Sequence, residues 1–299
     1  MMNQSDKGKT VDYDFEDARK CFPVKIANAD KKVYGKTLVI AGSKDIYGAS
    51  FLCAKSCFLS GAGMVKVFTH RNNKYSLEHD LPEAMFSFYK NFGLKEKLKN
   101  SLLWADTVVV GPGLGFYMSA KRIMKLLPEL FHKKQIVVMD ADALNILSKD
   151  KSLFEKYTEC FNRLDIKCVF TPHKDELNRL CKGLFPGLTE DEVLAELINK
   201  GIVVVKKGNN THTYGKNIYV NKSGNEGMAT AGSGDVLSGI LGATLFRCAM
   251  VSFDKRVAFA VYLHGLCGDL CKETINSISI RATDIMNRLP EALDCLERA

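Results

Sequence analysis

The feature of this sequence that most constrains its fold is a regular alternation of short apolar runs with amphipathic segments. The apolar runs, rich in β-branched residues, are Thr37–Ala41, Met64–Phe68, Thr107–Val110, Ile136–Met139, Cys168–Thr171 and Ile202–Lys206. Segments with helical spacing include Ser50–Ser60, Ala120–Phe131, Asp175–Cys181 and Asp191–Lys200. Strands that are apolar throughout are buried on both faces, as in a parallel sheet that helices cover on each side. The alternation predicts an α/β fold of three layers, α/β/α, with a mostly parallel central sheet.

The last third of the chain extends this pattern. Ile218–Val220 follows a Gly-Lys-Asn turn and is predicted to be a late strand that pairs with Ile202–Lys206 as a hairpin. Long helices are expected at Gly234–Ala249 and Asp254–Lys272, and a shorter one from Arg281. No Pro/Ser-rich linker and no internal repeat divides the 299 residues. We therefore predict one domain over residues 31–299, preceded by a polar extension, residues 1–30, that is mobile or loosely docked.

Composition excludes several classes of protein. Apolar residues make up 46% and charged residues 25%, no apolar stretch reaches the ~18 residues of a transmembrane helix, and the start lacks the apolar core of a secretory signal. A soluble, cytoplasmic protein is expected. The net charge of +8 is dispersed, so it favours a small phosphorylated ligand over nucleic acid. Ten cysteines without a signal peptide indicate free thiols in a reducing compartment.

Polar and Gly-rich segments follow the apolar runs repeatedly, at the place where each predicted strand ends. These segments are Gly42–Ala49, Gly111–Gly115, Asp140–Asn145, Pro172–Glu176 and Lys207–Thr211. Each has a structural alternative: the glycines suit plain turns, His173 suits a helix cap, and Lys207-Gly208 suits the start of a hairpin. Open α/β sheets bind ligands at the carboxyl ends of their strands. Together the segments predict a ligand-binding cleft along one edge of the sheet.

The most informative segment is Gly227–Gly239, in which small residues lead directly into a helix with Asp235 in its first turn. The N–H groups and dipole at a helix N-terminus suit a phosphate, and Asp235 could accept a proton from an attacking hydroxyl. The alternative is an acid that only stabilises the helix start. We favour phosphoryl-transfer chemistry here. Ser238, Gly239, Gly242 and Ala243 form a small-residue face that would let this helix approach the sheet closely.

Nine segments of the chain, in order, resemble the ADP- or ATP-dependent NAD(P)H-hydrate dehydratases, a family with a ribokinase-like fold. They are Lys36-Thr-Leu-Val-Ile-Ala-Gly-Ser43, Gly48-Ala49 with Ser60-Gly-Ala-Gly-Met-Val65, Val109-Val-Gly-Pro-Gly-Leu-Gly115, Asp140-Ala-Asp-Ala-Leu-Asn145, Thr171-Pro-His-Lys-Asp-Glu-Leu177, Val205-Lys-Lys-Gly208, Gly224-Asn225, Met228-Ala-Thr-Ala-Gly-Ser-Gly-Asp235 and Ala260-Val-Tyr-Leu-His-Gly265. The resemblance covers about Lys25 to Arg288. The glycine-Asp segment is shared with sugar and vitamin kinases of the same superfamily, whereas the combination is more selective.

The resemblance implies a repair reaction in which the hydrated nicotinamide ring of (6S)-NADHX or NADPHX is returned to NADH or NADPH. A nucleotide would phosphorylate the ring hydroxyl, and elimination of phosphate would restore the double bond. Bacterial members use ADP and eukaryotic ones ATP; the lone catalytic domain and short start favour ADP, converted to AMP and phosphate. Mg²⁺ is expected as cofactor, with Glu176 placing it through water.

The same resemblance implies roles for individual residues. Asp235 would be the general base and contact the hydrate. Further hydrate contacts would come from Ala49, Gly113, Gly115 and His173. The adenine nucleotide would be held by Lys207, Gly208, Asn209, Asn210, Thr211, Gly232, Ser233 and Gly234. Gly232 and Gly234 would form an anion hole for the transferring phosphoryl group. Many members have Gly-Gly-Thr-Gly-Asp where this chain has Ala231-Gly232-Ser233-Gly234-Asp235, a change that removes no hydrogen-bond donor.

Two other functions remain as alternatives. A vitamin-alcohol kinase of the same fold would share Asp235 and the anion hole but would release a stable phosphorylated product. A non-catalytic nucleotide-binding or nucleic-acid-associated protein would not need Asp235. The family's partner epimerase, about 200 residues long, does not fit in residues 1–30, so a separate chain is expected to supply it. A homo-oligomer is also expected from the family.

Overall fold

A single mixed sheet forms the centre of the computed structural model, which describes residues 8–23, 28–90 and 92–298. Its strands are β1 (Thr10–Tyr13), β2 (Lys36–Ile40), β3 (Met64–His70), β4 (Met85–Tyr89), β5 (Thr107–Val110), β6 (Ile136–Met139), β7 (Lys167–Phe170), β8 (Ile202–Lys206), β9 (His212–Tyr214) and β10 (Ile218–Asn221). They lie in the order β1-β10-β9-β8-β7-β6-β5-β2-β3-β4. Neighbours pair in parallel except at β9, which is antiparallel to both β8 and β10. The mostly parallel sheet is confirmed.

Helices cover both faces of this sheet. They are α1 (Phe15–Cys21), α2 (Gly48–Leu59), α3 (Lys74–Asp80), α4 (Leu94–Trp104), α5 (Met118–Leu130), α6 (Asp142–Leu147), α7 (Lys151–Leu164), α8 (Lys174–Leu184), α9 (Glu190–Asn199), α10 (Ser233–Arg247), α11 (Phe253–Thr274), α12 (Ala282–Asn287) and α13 (Leu289–Arg298). One apolar core contains residues of α1–α3 and α10–α13, and the other contains residues of α4–α9. The α/β/α layers are confirmed.

The apolar runs of the sequence are explained by this double cover. Alternate strand residues belong to opposite cores: Val109 faces the layer that contains α10, whereas Val108 and Val110 belong to the other core. All three side chains are fully buried. A central strand therefore has no solvent-facing side on which polar residues would be favourable.

Helix α10 lies close to its neighbours because two of its three glycines face them. A Cβ on Gly239 would lie 2.2 Å from the carbonyl oxygen of Cys53 in α2, and one on Gly242 would lie 2.7 Å from the Val109 side chain in β5. Thr37 Oγ1 of β2 also donates to the carbonyl of Gly242 at 2.9 Å. The predicted small-residue face is confirmed, and it fixes the position of the α10 N-terminus relative to the sheet.

The predicted hairpin between Ile218–Val220 and Ile202–Lys206 is wrong. β9 lies between these strands: Thr213 is paired with Val205 on one side and with Tyr219 on the other. The intervening strand has only three residues, too few to show an alternating pattern in the sequence.

The expectation of a mobile or loosely docked segment is wrong for Thr10–Cys21. β1 is an edge strand that pairs in parallel with β10, and Asp14 caps the N-terminus of α1 by accepting from the backbone N–H of Asp17. The Tyr13 side chain is buried, and its hydroxyl donates to Cys21 Sγ at 3.2 Å. Residues 1–7 and 24–27 lie outside the described residues. A division of the chain at residue 30 stays a prediction.

Two expectations about the chain's chemistry can be compared with the structure. All ten cysteines are free thiols, as expected. Within residues 8–23, 28–90 and 92–298, none of the helices combines the length and the apolar character needed to cross a membrane.

The docking of the N-terminal strand has a measurable consequence for stability. Tyr13→Ala removes a buried ring that packs edge-on against Tyr219, with ring centroids 5.6 Å apart. We expect this substitution to lower the free energy of unfolding by about 3–5 kcal/mol, as for other buried aromatic residues. Urea denaturation followed by circular dichroism measures the change. Tyr13→Phe is the matched control, with an expected loss of about 1 kcal/mol because only the hydroxyl's hydrogen bonds disappear. Unchanged stability in Tyr13→Ala would show that β1 is loosely attached.

Candidate active site

The N-terminus of α10 opens into the cleft at the carboxyl ends of the parallel strands. Gly232 precedes this helix with φ of 88°, a left-handed conformation that favours glycine. A Cβ at Gly232 would also lie 2.6 Å from the Leu52 side chain. The first N–H groups of a helix have no partner in the preceding turn and carry a partial positive charge. The small residues before Asp235 therefore shape a turn whose N–H groups could receive an anion, and the binding of an anion there stays a prediction.

Lys207 brings a positive charge to this turn. Its ammonium nitrogen lies 2.7 Å from Asp140 Oδ1 and 3.7 Å from Glu176 Oε2. A Cβ added to Gly234 would lie only 3.4 Å from the same nitrogen. Burial lowers the pKa of Lys207, but Asp140 and Glu176 outweigh it, so this pKa lies above its ordinary value. The lysine therefore remains a cation beside the helix N-terminus.

Asp140 is the buried centre of this charge network. It directly follows β6 and is 1% exposed. One carboxylate oxygen accepts from Lys207, and the other accepts from Ser238 Oγ of α10 at 2.7 Å. Asp140 therefore joins the end of β6 to α10 and, through Lys207, to the end of β8. Sequence reasoning gave neither Asp140 nor Ser238 a role, although the first lies in a recognised motif and the second in the small-residue face.

The carboxyl group of Asp235 is poised to exchange a proton near neutral pH. Burial, and then the nearby charge of Asp140, raise its pKa to about 7, although Lys207 acts in the opposite direction. A base whose pKa lies near the working pH is effective in proton transfer. In a first-turn acid that serves only to stabilise its helix, the helix dipole would favour the charged form and keep the pKa low. The raised pKa therefore fits a proton-accepting group, and the catalytic role of Asp235 stays a prediction.

His173 and Glu176 form the start of α8. His173 Nδ1 accepts from the N–H of Asp175 at 3.1 Å, and Glu176 Oε2 accepts from the N–H of His173 at 2.9 Å. His173 is therefore the helix cap that the sequence allowed as an alternative. Its other ring nitrogen lies 3.4 Å from Glu176 Oε1, and the side chain is 46% exposed. These cap contacts hold the imidazole at the cleft. Its contact with a substrate stays a prediction.

Three of the predicted hydrate contacts, Ala49, Gly113 and Gly115, lie in two loops that touch each other. Gly113 has φ of 58°, and a Cβ there would lie 2.7 Å from that of Ala49. The loops are also joined by the N–H of Gly42, which donates to the carbonyl of Pro112 at 2.8 Å. The N–H of Gly115 donates to Asp142 Oδ2 at 2.7 Å. These three residues converge as predicted, although their contact with a ligand is untested.

The predicted nucleotide segment divides into two parts. Gly208, Asn209 and Asn210 are exposed in the connection between β8 and β9, and Thr211 Oγ1 donates to the carbonyl of Gly208 at 3.0 Å. The backbone of this connection is therefore the turn of a hairpin between β8 and β9, which was the structural alternative for Lys207-Gly208. Lys207 differs because its side chain turns back into the cleft. The Lys207 ammonium thus lies beside the turn that precedes α10, whereas residues 208–210 form an exposed loop at the edge of the cleft.

His264 is a further polar residue at the α10 N-terminus. Its Nε2 lies 3.3 Å from Ser233 Oγ, and burial lowers its pKa to about 4. The ring is therefore neutral at physiological pH and can orient the Ser233 hydroxyl. The Tyr-Leu-His-Gly motif contained this residue, but a motif does not show which groups its histidine meets.

Two of the carboxylates that could hold Mg²⁺ already face a lysine. Among the described residues there is no group of three or more His, Cys, Asp or Glu side chains arranged to hold a metal ion. Asp140 and Glu176, the buried carboxylates of the cleft, both face the Lys207 ammonium. Mg²⁺ is commonly bound through substrate phosphates and water with few protein ligands. The residues therefore fit an ion that arrives with the nucleotide phosphates and that a carboxylate reaches through water.

Comparison with known proteins places this chain in a family. The NAD(P)H-hydrate dehydratase family matches residues 37–291. The chain belongs to this family. Among its relatives, the ADP-dependent (S)-NAD(P)H-hydrate dehydratase of Listeria monocytogenes is 31% identical over 265 residues, which cover 87% of this chain and 88% of the relative.

Solved structures support the fold. A ribokinase-like superfamily protein from Enterococcus faecalis superposes with a TM-score of 0.80 and 26% identity, covering 99% of this chain and 98% of its own. The ADP/ATP-dependent NAD(P)H-hydrate dehydratase of Bacillus subtilis, co-crystallised with ATP/Mg²⁺, gives a TM-score of 0.78 at 24% identity, covering 95% and 98%. The ribokinase-like fold predicted for this member of the dehydratase family is confirmed.

The raised pKa of Asp235 links the stability of this dehydratase-family protein to pH. The carboxyl group titrates near 3.8 when unfolded and about 7 when folded, so the native state holds the extra proton between these values and loses stability as pH rises through them. We expect Asp235→Asn to raise the free energy of unfolding by roughly 2–4 kcal/mol at about pH 8, with the gain vanishing near about pH 4. Urea denaturation at a series of pH values measures it.

Asp191→Asn is the matched control because Asp191 is an exposed first-turn acid of α9. This variant also replaces a first-turn carboxylate by an amide, but at an exposed position, so it shows what the substitution itself does to the free energy of unfolding. Equal curves for Asp235→Asn and the unmodified chain would show that Asp235 is not desolvated.

Proposed function

We propose that this protein dehydrates (6S)-NADHX and NADPHX to NADH and NADPH at the expense of an adenine nucleotide, with ADP as the preferred donor. The observation that carries the proposal is the juxtaposition of a carboxyl group with pKa about 7, Asp235, and the Lys207 cation at the α10 anion-binding turn. Membership of the NAD(P)H-hydrate dehydratase family supplies the class of substrate.

The chemistry follows from the difficulty of the uncatalysed reaction. Hydroxide is a poor leaving group, whereas phosphate is a good one. Transfer of the terminal phosphoryl group of ADP to the ring hydroxyl gives AMP and a phosphate ester. The C–O bond of that ester then breaks, phosphate leaves with the bonding electrons, and a proton is lost from the neighbouring ring carbon. The ring double bond is thereby restored.

Residues of the cleft can be assigned to the first step. Asp235 accepts the proton of the ring hydroxyl as that oxygen attacks phosphorus. The N–H groups at Gly232–Gly234 and the Lys207 ammonium stabilise the negative charge of the transferring group. Asp140 and Ser238 act through Lys207 and α10, since they hold the cation and the helix in place. The side chains of Lys207 and Asp140 are 18% and 2% exposed, so their charges act in a medium of lower dielectric constant than water.

The order of the strands separates donor from acceptor. Along the cleft, β8 and β7 are followed by β6, β5 and β2. We assign the adenine nucleotide to Lys207–Thr211 at the end of β8, and the hydrate to Ala49, Gly113 and Gly115 at the ends of β2 and β5. His173 and Asp235 lie at the meeting point. Mg²⁺ would arrive with the nucleotide phosphates, shield their charge, and be reached by Glu176 through water.

The wider setting is also part of the proposal. The free thiols suit a cytoplasmic enzyme, and the relatives named as dehydratases support a metabolite-repair role. Interconversion of the two hydrate epimers is assigned to a separate epimerase chain, and the enzyme is proposed to act as a homo-oligomer. The dispersed charge of +8 attracts phosphorylated ligands without a nucleic-acid surface.

A direct assay tests the activity and names the donor. Purified protein, NADH hydrate, Mg²⁺ and either ADP or ATP are mixed, and the reduced nicotinamide is followed at about 340 nm. We expect a nucleotide-dependent rise, faster with ADP, and a loss of at least about 10²-fold in Asp235→Asn because general-base catalysis is removed. Asp191→Asn serves as the active control. No rise with either nucleotide would overturn the dehydratase, and a stable phosphorylated vitamin alcohol would indicate the kinase instead.

The pH profile tests the role of Asp235 independently. Asp235 acts as a base only when ionised, and its pKa is about 7. We therefore expect kcat/KM for the hydrate to rise about tenfold per pH unit below neutrality and to level off above about pH 7. Steady-state rates in buffers of constant ionic strength give this profile. A profile that is flat from about pH 5 to 8 would contradict the assignment of Asp235 as general base.

A further inference from the structure

Two exposed aromatic rings stand directly beside the predicted hydrate contacts. Phe116 and Tyr117 follow Gly115, and they are 47% and 37% exposed. Each ring carries a lysine: Lys44 Nζ lies 4.8 Å from the Tyr117 ring centroid, and Lys149 Nζ lies 4.7 Å from that of Phe116. We call Lys44, Phe116, Tyr117 and Lys149 the cleft rim. Large exposed aromatic side chains next to a binding site are candidates for ligand contact.

The Tyr117 part of the cleft rim is held in place by several contacts. The Tyr117 hydroxyl donates to Asp45, whose carboxylate also lies 3.8 Å from Lys44 Nζ. The backbone carbonyl of Lys44 accepts from Asn72 Nδ2 at 3.2 Å. A Cβ at Gly115 would lie 3.0 Å from the Tyr117 ring, so the ring packs directly over that glycine. The rim is therefore continuous with the predicted hydrate contacts and is partly preorganised.

The position of the cleft rim suits one end of the substrate. This step rests on the proposed function, which places the adenine nucleotide at the end of β8. The hydrate is a dinucleotide, so it extends well beyond the nicotinamide ring that Asp235 would contact. Its second half must leave the cleft on the side away from the co-substrate. The loops after β2 and β5, which carry Lys44, Phe116 and Tyr117, form that side.

The chemistry of the cleft rim matches an adenosine half that carries phosphates. Aromatic side chains stack on nucleic-acid bases, and lysines contact phosphate oxygens. Asp45 lies 3.8 Å from Lys44, and the neighbouring Asp142 is engaged by the N–H of Gly115, so no carboxylate is shown against Lys149 Nζ among the described ion pairs. The geometry points to the cleft rim as the binding subsite for the adenosine half of the hydrated dinucleotide, with Phe116 and Tyr117 offering base-stacking faces and Lys44 and Lys149 contacting phosphate.

Aromatic substitutions test the stacking part of the proposal. Phe116→Leu and Tyr117→Leu are each expected to raise the KM for NADH hydrate about tenfold, the effect of losing one stacked base. kcat and the KM for ADP are expected to stay unchanged, because the subsite lies away from Asp235 and from the co-substrate. Tyr117→Phe keeps the ring but loses the hydrogen bond to Asp45, so it is expected to raise this KM less than Tyr117→Leu does. Phe92→Leu, a 97% exposed ring beyond β4, is the matched control.

Lysine substitutions test the phosphate part. Lys44→Ala and Lys149→Ala are expected to raise the KM for NADPH hydrate more than that for NADH hydrate, because only the former has a phosphate on its adenosine ribose. Raising the salt concentration is expected to reduce this difference by screening the charges. The exposed Lys133, which lies before β6 at the opposite edge of the sheet, gives the control variant Lys133→Ala.

The outcomes separate the subsite from the proposed function. If the unmodified chain is active and the aromatic variants keep its KM, the subsite is overturned and the dehydratase stands. If those variants keep the KM but lower the assembly's mass in sedimentation, the rim is an interface between copies and the proposal is overturned. If the unmodified chain lacks dehydratase activity, calorimetric titration with NADP⁺ still decides: weaker binding by Tyr117→Leu than by Tyr117→Phe supports the subsite, and equal binding overturns it.

Discussion

The ion pair between Lys207 and Asp140 is the interaction on which the arrangement of the cleft depends. It joins the end of β8 to the end of β6, and Ser238 extends it to α10. Removing two charges from water costs free energy, so a pair this buried contributes little net stability. The pair matters because it fixes the positions of two charges. It keeps the Lys207 cation beside the α10 N-terminus, and it keeps the Asp140 carboxylate close enough to add to the effect of burial in raising the pKa of Asp235.

That network can form only because α10 approaches the sheet so closely. Gly239 and Gly242 let the helix backbone contact α2 and β5, where even one additional carbon atom would collide with neighbouring atoms. Their position one and two turns after Asp235 places the helix N-terminus over the strand ends. The glycine at 232 then turns the chain into the helix with φ of 88°. Packing constraints and anion-binding chemistry are therefore combined in one short segment, residues 232–242.

Much of this architecture could be predicted from the sequence because its signals are local. The buried strands appear as continuous apolar runs, and the candidate ligand-binding edge appears as polar and Gly-rich segments at their ends. The β9 strand could not be predicted, since three residues give no periodicity. Residues Thr10–Cys21 read as a polar extension, although Tyr13, Ala18 and Cys21 bury their side chains in the core.

The sequence alone determined the layers, the edge of the sheet that holds the cleft, and Asp235 as the candidate base, because each depends on neighbours within a few residues. Only the tertiary structure decided the pKa of Asp235, the partners of Lys207 and the contact between the Ala49 and Gly113 loops. These depend on groups far apart in the chain: Asp140 and Lys207 are 67 positions apart, and Asp140 and Ser238 are 98 apart. Electrostatic interactions act through space, so a carboxyl group's environment is set by the fold that surrounds it.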